Sequence, residues 1–589
     1  MELVLVISHT ALAPSDWSLA FRSTPEIEGA RSITIKRGAV PEDLMGGTLY
    51  KNGPALFERG ETSYAHWLDG DGCVTRLHFT PNGGAEWRAR FVQTEAFTQE
   101  SRRDDVCWRT TFGTQRPGGV LSNMFDIRLK SPANTHVLPL PGSDNVLALW
   151  EAGPPYELDG DTLAMLGPCS LGGRLRLSGS HGALPATTSI DVLDRLLERA
   201  GLLTDACSAH PREETTAGGD TSTIAWTWRQ TLVGQPAIKV ALHDLSALSQ
   251  LAPSPPPVRA TLEGVPFAPH DMALAENFAC FMTSPTQVSI APFVLGLRGP
   301  AQCTTFDAEA LASGAGSRIH LVERRRQRQH QQQQPAASRD ANNDDNPARA
   351  FDIGEPYHPV HHANAWETSG DAGGGGGGFL TLVSSCWPPS AVRRLAREGT
   401  SLLGSWEDLL KGDFTGVPTT NLVRFVVDLT NGAVVEHTIL ANGCQVDHPS
   451  VHPMWSGRAT QFVFGSVGRL DDGGSDDAIP EAPQRFGCID LEAAGGRGEL
   501  IDSWFAGDRR LIDEATLIPM SKAGADDKDE HGERAVWLIA PVFDAATETS
   551  SYVVLDGRNL ADGPVCELSL PEGTYIPWGL HGAWRGCAA

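Results

Sequence analysis

The stretch NLVRFVVDLTNGAVVEHTIL, residues 421–440, decides the fold class of this chain. Two runs rich in β-branched residues, 421–429 and 433–440, flank the turn sequence TNG. Branched side chains favour extended backbone, and Asn-Gly is a strong signal for a tight turn between antiparallel strands. The pattern predicts a β-hairpin.

Similar short runs, each followed by a polar or glycine-containing turn, recur along the chain: NVLALWE, QFVFGSV, FGCIDLE, AVWLIAPVF and SYVVLDGRNL. The clearest helical spacing of apolar residues is in 189–203, where Ser189 is positioned to cap a helix. The sequence therefore predicts an all-β fold with few helices. A large all-β architecture can absorb 589 residues as one domain, which we expect to span residues 16–589.

Three polar, low-complexity inserts interrupt the strand pattern, at about 323–349, 371–378 and 523–534. The first is rich in glutamine and the second is a glycine run, so both are expected to be surface loops. The RRRQR sequence in the first insert is followed by acidic residues, which argues against a nucleic-acid patch.

The balance of charge excludes several classes of partner. There are 47 Lys and Arg against 72 Asp and Glu, a net charge of −25, which opposes binding to nucleic acid or to an anionic membrane face. The 11 cysteines are scattered without a CxxC pair and are expected to be reduced thiols. The N-terminus lacks the basic start of a secretory signal. We expect an intracellular protein, cytoplasmic or plastid, that is not secreted.

Four histidines lie in distinct sequence contexts: His210 in SAHPREE, His270 in APHDMALAEN, His361 in HHANAWE and His581 in IPWGLHGAW. Their wide separation excludes a local zinc clip, whose ligands come in closely spaced pairs. Imidazole suits iron, copper, nickel and zinc. One divided metal site, assembled from distant elements, is the hypothesis that these contexts favour over four structural histidines.

These four contexts, in this order, resemble those of the carotenoid cleavage oxygenase family. The resemblance extends to VPEDLMGGTLYKNGP (40–54), HWLDGDG (66–72) and LALWEAGPPYELD (147–159), and it runs from about residue 16 to residue 584. Within the family, FGTQRPGG, KSPANTHV, LGLRGPAQC and SAHPRE are most similar to the microbial apocarotenoid 15,15'-oxygenase type.

The resemblance implies a seven-bladed β-propeller with a dome of helices and loops over the metal-bearing face. It also implies one Fe(2+) per chain, with O2 as co-substrate. The iron ligands carried over are His210, His270, His361 and His581. In HHANAWE the family's ligand lies three residues before the asparagine, which selects His361 over His362.

Carboxylates that orient the ligands are carried over in the same way. Glu151 and Glu514 match two of the family's glutamates, whereas the third falls at Asp447, in Asp-His-Pro where relatives carry Glu-Phe-Pro. Aspartate is one methylene shorter, so either the distance to the histidine or the backbone must adjust. We expect His448 to face solvent, with a role as surrogate partner as the alternative. Thr135 is expected near the open face of the iron.

The implied reaction is oxidative cleavage of a conjugated double bond of an apocarotenoid or carotenoid to aldehydes such as retinal. Three alternatives remain open: cleavage of stilbene-like phenolics, isomerisation of a retinoid ester, and a noncatalytic propeller that binds a hydrophobic ligand. The expected partner is an apolar polyene, without an obligate protein partner. Because such substrates dissolve in membranes, we expect peripheral membrane contact through an exposed apolar patch.

Overall fold

The computed structural model describes residues 14–177, 184–215, 221–246, 256–324, 346–369, 378–401, 416–469, 482–521, 532–571 and 573–587. Strands dominate these residues, as predicted. The α-helices in this part of the chain are short: Pro14–Leu19, Glu95–Arg103, Gly119–Asn123, Asp191–Arg199, Ala291–Val294, Ala308–Ala312, Pro389–Glu398 and Ala493–Gly496. None of the helices described here is long and apolar enough to span a bilayer.

The hairpin predicted from TNG is confirmed. Asn421–Asp428 pairs antiparallel with Ala433–Leu440. At the turn, the Asp428 carboxylate accepts hydrogen bonds from the backbone N–H groups of Thr430 and Asn431, each 2.9 Å long. Gly432 has a φ of 70°, the left-handed conformation that glycine adopts most readily. Local sequence is therefore sufficient to form this element.

The helix predicted within 189–203 occupies Asp191–Arg199, but the predicted cap is wrong. Ser189 has a φ of 59°, and Ile190 is the N-cap residue, without a side-chain capping bond. Instead, the Asp194 carboxylate accepts hydrogen bonds from the Thr188 backbone N–H and hydroxyl, both 2.6 Å. The Asp194 carboxylate, near the start of the helix, therefore binds the residues before the helix, and no serine cap is formed.

Seven sheets of four or more strands follow one another along the described chain, and we number them I to VII. Sheet I contains Ile27–Ser32, Thr48–Leu56, Asp71–Phe79, Ala85–Phe91 and Gly582–Arg585. Sheet II contains His136–Pro139, Val146–Leu149, Tyr156–Leu158 and Met165–Pro168. Sheet III contains Leu184–Thr187, Leu203–Thr204, Ala206–Cys207, Arg212–Thr215, Thr221–Thr231, Ala237–Asp244, Val258–Glu263 and Asn346–Pro347.

The remaining four sheets follow in chain order. Sheet IV contains Met272–Leu274, Phe278–Thr283, Arg318–Glu323 and Arg349–Asp352. Sheet V contains His358–Ser369, Gly378–Trp387, Asn421–Asp428 and Ala433–Leu440. Sheet VI contains Cys444–Ser450, Phe462–Arg469, Arg485–Asp490 and Glu499–Phe505. Sheet VII contains Thr34–Gly38, Arg510–Ile512, Thr516–Pro519, Val536–Asp544, Thr549–Asp556 and Cys566–Ser569. Two short pairs lie outside these sheets: Glu58–Arg59 with Thr62–Ser63, and Thr286–Val288 with Thr304–Phe306.

The hydrophobic core is divided among the spaces between consecutive sheets. Separate apolar clusters join sheets I and II, II and III, III and IV, IV and V, V and VI, and VI and VII. Between sheets III and IV, for example, the rings of Trp226 and Phe281 lie 5.1 Å apart, edge to face. A seventh cluster packs sheet VII back against sheet I, where the Trp87 indole donates to the Tyr552 hydroxyl at 3.3 Å. The succession of packed sheets thus returns to its start.

Both ends of the chain contribute to this last junction. In sheet I the late strand Gly582–Arg585 pairs with Thr48–Leu56, and in sheet VII the early strand Thr34–Gly38 pairs with Cys566–Ser569. Strand pairing therefore ties the N-terminal and C-terminal parts of the chain together.

The three predicted inserts fall mainly outside the described residues, in 325–345, 370–377 and 522–531. The strands on either side of the first insert, Arg318–Glu323 and Arg349–Asp352, pair in sheet IV.

Candidate metal centre

Seven side chains, one from each sheet or from the residues directly beside its strands, meet at one place. In sheet order these are His581, Glu151, His210, His270, His361, Asp447 and Glu514. Edge strands of neighbouring sheets contact each other here: His358–Ser369 touches both Met272–Leu274 and Cys444–Ser450. The convergence of edge strands brings together residues that lie far apart in sequence.

The four predicted histidines form one cluster. The ring centroid of His210 lies 4.2 Å from that of His270, 5.6 Å from that of His361 and 4.8 Å from that of His581. The potential donor atoms of His210, His270 and His361 all lie within 4.8 Å of one another. His210 and His581 approach through their Nε2 atoms, 3.1 Å apart.

A carboxylate lies against the other nitrogen of each ring. Glu151 Oε1 is 3.2 Å from Nδ1 of His210 and 2.6 Å from Nδ1 of His270. Asp447 Oδ1 accepts from Nδ1 of His361 at 2.8 Å, and Glu514 Oε1 accepts from Nδ1 of His581 at 3.0 Å. An ionised carboxylate only accepts hydrogen bonds, so Nδ1 of His361 and Nδ1 of His581 carry the proton and their Nε2 atoms present lone pairs.

This donor set fits a divalent cation. Burial lowers the pKa of His210 to about 4 and that of His581 well below its usual value, so both rings are neutral near pH 7. Neutral imidazole is the form that binds metal. The Nε2 atoms of His210 and His581 lie 3.1 Å apart, a spacing that two nitrogens bound to one cation can have.

The same cluster keeps the carboxylates ionised. Although burial alone would raise their pKa values, the interaction with His270 lowers the pKa of Glu151, and the interactions with His581 and with the Lys51 ammonium lower the pKa of Glu514. For Asp447, His448 and His361 have the same lowering effect. Three partly buried negative charges therefore lie beside the imidazoles and favour a cation at their centre.

The two adjacent histidines of HHANAWE have different environments. His361 belongs to the cluster, whereas His362 is fully buried elsewhere, with Nδ1 2.7 Å from the Ser384 hydroxyl and its backbone N–H donating to Asp271. Successive residues of a strand point to opposite faces, so only one of the pair can reach the centre.

Thr135 lies at the edge of the centre next to His581. Its backbone oxygen accepts a 3.0 Å hydrogen bond from the His581 N–H, and its hydroxyl donates to the Asn134 side chain at 3.2 Å. The threonine is buried, and its main chain fixes the segment that carries His581.

Asp447 reaches His361 from an irregular strand. Between Asp447 and Ser450 the register with Phe462–Arg469 shifts, and His448 has a φ of 47°. On the neighbouring strand, a Cβ at position 465 would lie 2.9 Å from the Asp447 carbonyl oxygen, so the close approach requires Gly465. Asp447 thus contacts His361 from a strand whose backbone is irregular at this point.

The expectation that His448 faces solvent is wrong. Its ring centroid lies 5.0 Å from that of His361 and 5.7 Å from that of His581, and the ring is partly buried. The register shift breaks the alternation of the strand and turns position 448 towards the cluster.

Sequence reasoning missed a charged pair that connects three ligand segments. Arg212, two residues after His210, is ion-paired with Asp271, which follows His270. The same guanidinium donates to the backbone oxygens of Met272 and His362, at 2.6 and 2.8 Å. The only sign of this ion pair in the sequence is that an arginine lies near His210 and an aspartate lies next to His270.

Lys51 was missed as well. It is buried, its Nζ lies 3.4 Å from Glu514 Oε2, and it donates to the Leu580 backbone oxygen at 2.9 Å. The lysine therefore holds Glu514 and the residue before His581 in fixed relative positions. A lysine in the strand-forming sequence LYKNGP carries no local sign of this role.

Known proteins resemble this chain over almost its whole length. Residues 21–586 match the family model described as retinal pigment epithelial membrane protein. Apocarotenoid-15,15'-oxygenase of Synechocystis is 27% identical over 98% of this chain and 97% of its own length. Isoeugenol monooxygenase of Pseudomonas nitroreducens is 30% identical over 93% of both chains.

Solved structures show the same fold. The cobalt-substituted Synechocystis apocarotenoid oxygenase superposes with a TM-score of 0.73 at 25% identity and covers 98% of this chain and 99% of that one. A point mutant of the same oxygenase gives 0.74 at 24% identity, over 98% and 99% of the two chains. These matches confirm the resemblance found in the sequence, and the chain belongs to the carotenoid oxygenase family.

Proposed function

We propose that this protein is an iron(II)-dependent dioxygenase that uses O2 to cleave a conjugated double bond of an apocarotenoid or carotenoid into aldehydes such as retinal. The observation that carries the proposal is the convergence of four imidazoles whose Nδ1 atoms all lie against carboxylates. The similarity to apocarotenoid-15,15'-oxygenase supports this substrate class.

In this proposal His210, His270, His361 and His581 hold one Fe(2+) per chain. Iron(II), when bound, supplies the electron density that O2 needs for reaction with an alkene. Glu151, Asp447 and Glu514 keep the rings oriented with Nε2 towards the ion. Four protein nitrogens leave part of an octahedral shell open, and we assign the adjacent wall to Thr135.

We infer that the seven sheets are the blades of a single seven-bladed propeller spanning residues 16–589, with the short helices and long connections forming the dome over the metal face. Support comes from the core clusters, which join each sheet to the next and sheet VII to sheet I. It also comes from the contribution of one centre residue per sheet.

A second candidate is cleavage of an aryl alkene. The relative named isoeugenol monooxygenase is 30% identical over 93% of this chain, and resveratrol cleavage oxygenase of Botryotinia fuckeliana is 30% identical over 27% of it. Both substrate classes contain a carbon–carbon double bond that is conjugated to further π bonds. The two classes differ in their carbonyl products, which chromatography separates.

We also propose peripheral membrane contact, because carotenoids partition into bilayers. Two exposed apolar patches support it. The first patch consists of Val120, Leu121, Phe125, Ile290, Leu295 and Leu297. The second patch consists of Ile190, Val192, Leu193, Leu196, Leu202, Leu232 and Val233. We also propose a reducing intracellular compartment, because the eleven cysteines are scattered along the sequence without a CxxC pair.

The deciding experiment incubates Fe(II)-loaded protein under air with an apocarotenal and, separately, with isoeugenol and resveratrol. Retinal formed by the wild type and abolished in His361→Ala is the expected result. His437→Ala, which removes an imidazole of sheet V outside the centre, is the matched control. Aromatic aldehydes alone would transfer the assignment to aryl alkenes. Protein that binds no iron would favour a noncatalytic binding role.

A further inference from the structure

We propose that His448 is a fifth imidazole donor to the metal centre. This inference rests on the proposed function, since it concerns the same ion. It adds a ligand that relatives with Glu-Phe-Pro at this position do not have.

The geometry of the cluster carries the proposal. The potential donor atoms of His361, His448 and His581 all lie within 4.8 Å of one another, as do those of His210, His270 and His361. Two nitrogens bonded to one metal at about 2.1 Å are at most about twice that distance apart, so both triads need only small ring movements to share an ion. The triads have His361 in common, and the ring centroids of His361 and His581 lie within 5.7 Å of those of both His210 and His448. His448 therefore adjoins the two rings at one side of the four-histidine cluster.

The His448 ring is available for this role. Among the described residues, none forms a hydrogen bond with its ring nitrogens, and only its backbone N–H is engaged, with Asp447 Oδ1 at 2.8 Å. The ring is also partly buried against His361 and His581. A polar ring inside a cluster of donors, without a partner of its own, is suited to bind a cation.

The backbone is shaped to bring two consecutive residues to the centre. In a regular strand Asp447 and His448 would point to opposite faces. The register shift after Asp447 and the positive φ of His448 break that alternation. Non-glycine residues with positive φ concentrate at functional sites, where the surrounding structure maintains them.

A fifth imidazole has a chemical consequence. An octahedral ion with four protein nitrogens has two open positions, whereas an ion with five has one. The centre of this protein would then hold its metal more tightly and admit fewer exogenous ligands than a four-histidine centre. Both properties can be measured without turnover.

The test uses Co(II) as the probe, because a cobalt-substituted form of the similar Synechocystis oxygenase has been crystallised. Wild-type protein is loaded with Co(II) without oxygen, its crystal structure is determined, and its Co(II) affinity is measured by titration. A His448 nitrogen at bonding distance, about 2.1 Å, is the expected result. We expect His448→Phe, which fills the space without a nitrogen, to weaken Co(II) binding roughly tenfold or more.

The control is His437→Phe. His437 lies in sheet V and its imidazole contacts the Tyr357 hydroxyl, so this substitution should leave the Co(II) affinity unchanged. Co(II) held by the other four histidines, with His448 away from the ion, overturns this inference and leaves the proposed function standing. Absence of Co(II) from all five histidines overturns both. The wild-type crystal structure decides the matter even if His448→Phe fails to fold.

Discussion

Asp447 illustrates how a single residue at the centre depends on its backbone. The side chain is one methylene shorter than glutamate, yet its Oδ1 lies 2.8 Å from His361 Nδ1. The irregular backbone at 447–450 and the absence of a side chain at Gly465 permit this approach. The shorter residue thus keeps the carboxylate–histidine contact that fixes a ligand's tautomer.

Replacing Asp447 by Asn should weaken metal binding about 10- to 100-fold, because a neutral amide holds the His361 proton less firmly. The measurement is an anaerobic Fe(II) titration of the variant against wild type. Asp428→Asn is the matched control, since Asp428 lies at the exposed TNG turn and is not one of the seven centre residues, and the affinity of this variant should not change. Equal affinity of Asp447→Asn and wild type would show that the contact does not orient the ligand.

At the scale of elements, a buried ionic cluster connects one helix and one strand through Lys130, which lies in the segment between other elements. Lys130 lies 2.8 Å from Asp71 of Asp71–Phe79 and 2.9 Å from Glu100 of Glu95–Arg103. Tyr64 and Arg59 complete the cluster. Burial alone would lower the pKa of Lys130, but its interactions with Asp71, Tyr64 and Glu100 raise it. The lysine therefore stays charged and paired in the folded protein.

Lys130→Met should lower the free energy of unfolding by about 3–5 kcal/mol, because it leaves Glu100 buried without its cation and Asp71 paired with Arg59 alone. Urea denaturation of variant and wild type measures the change. Arg22→Ala is the comparison: Arg22 pairs with Glu548 at 2.7 Å, but their side chains are 40% and 51% exposed, and the expected loss is below about 1 kcal/mol. Similar losses in the two variants would contradict a stabilising role of the buried cluster.

At the scale of the whole molecule, the first apolar patch joins two distant parts of the chain. The Phe125 N–H donates to the Val294 backbone oxygen at 2.8 Å. Beneath the patch, the buried Arg109 guanidinium packs 4.4 Å from the Phe293 ring and donates to the backbone oxygens of Asp126 and Arg298. Arg109 thus hydrogen-bonds to the backbone of both segments that carry the patch. This contact keeps the two segments side by side, so that their exposed apolar side chains form one surface.

Membrane contact through this surface predicts that the double substitution Leu121→Glu and Phe125→Glu releases the protein from neutral vesicles. These side chains are 87% and 70% exposed, and burying each in lipid contributes about 1.5–3 kcal/mol. Cosedimentation with phosphatidylcholine vesicles should fall at least about tenfold. Val435→Glu, in sheet V, is the control. Binding that high salt alone removes, or that the double variant retains, would contradict the proposal.

Local sequence determined those features whose causes are local. The TNG turn and its flanking valines predict the hairpin of 421–440, and the contexts of the four histidines identify both the family and the cluster. Turn geometry and strand preference depend on residues a few positions apart, so a short segment is sufficient to predict the hairpin.

Tertiary structure alone decided the position of His448, the pairing of Arg212 with Asp271 and the contact of Lys51 with Glu514. A one-residue irregularity reverses the direction of a side chain, and no local pattern marks where it occurs. Ion pairs between sheets depend on how distant strands converge. The sequence by itself determined which residues can bind a metal, whereas the packing of seven sheets decided which of them meet.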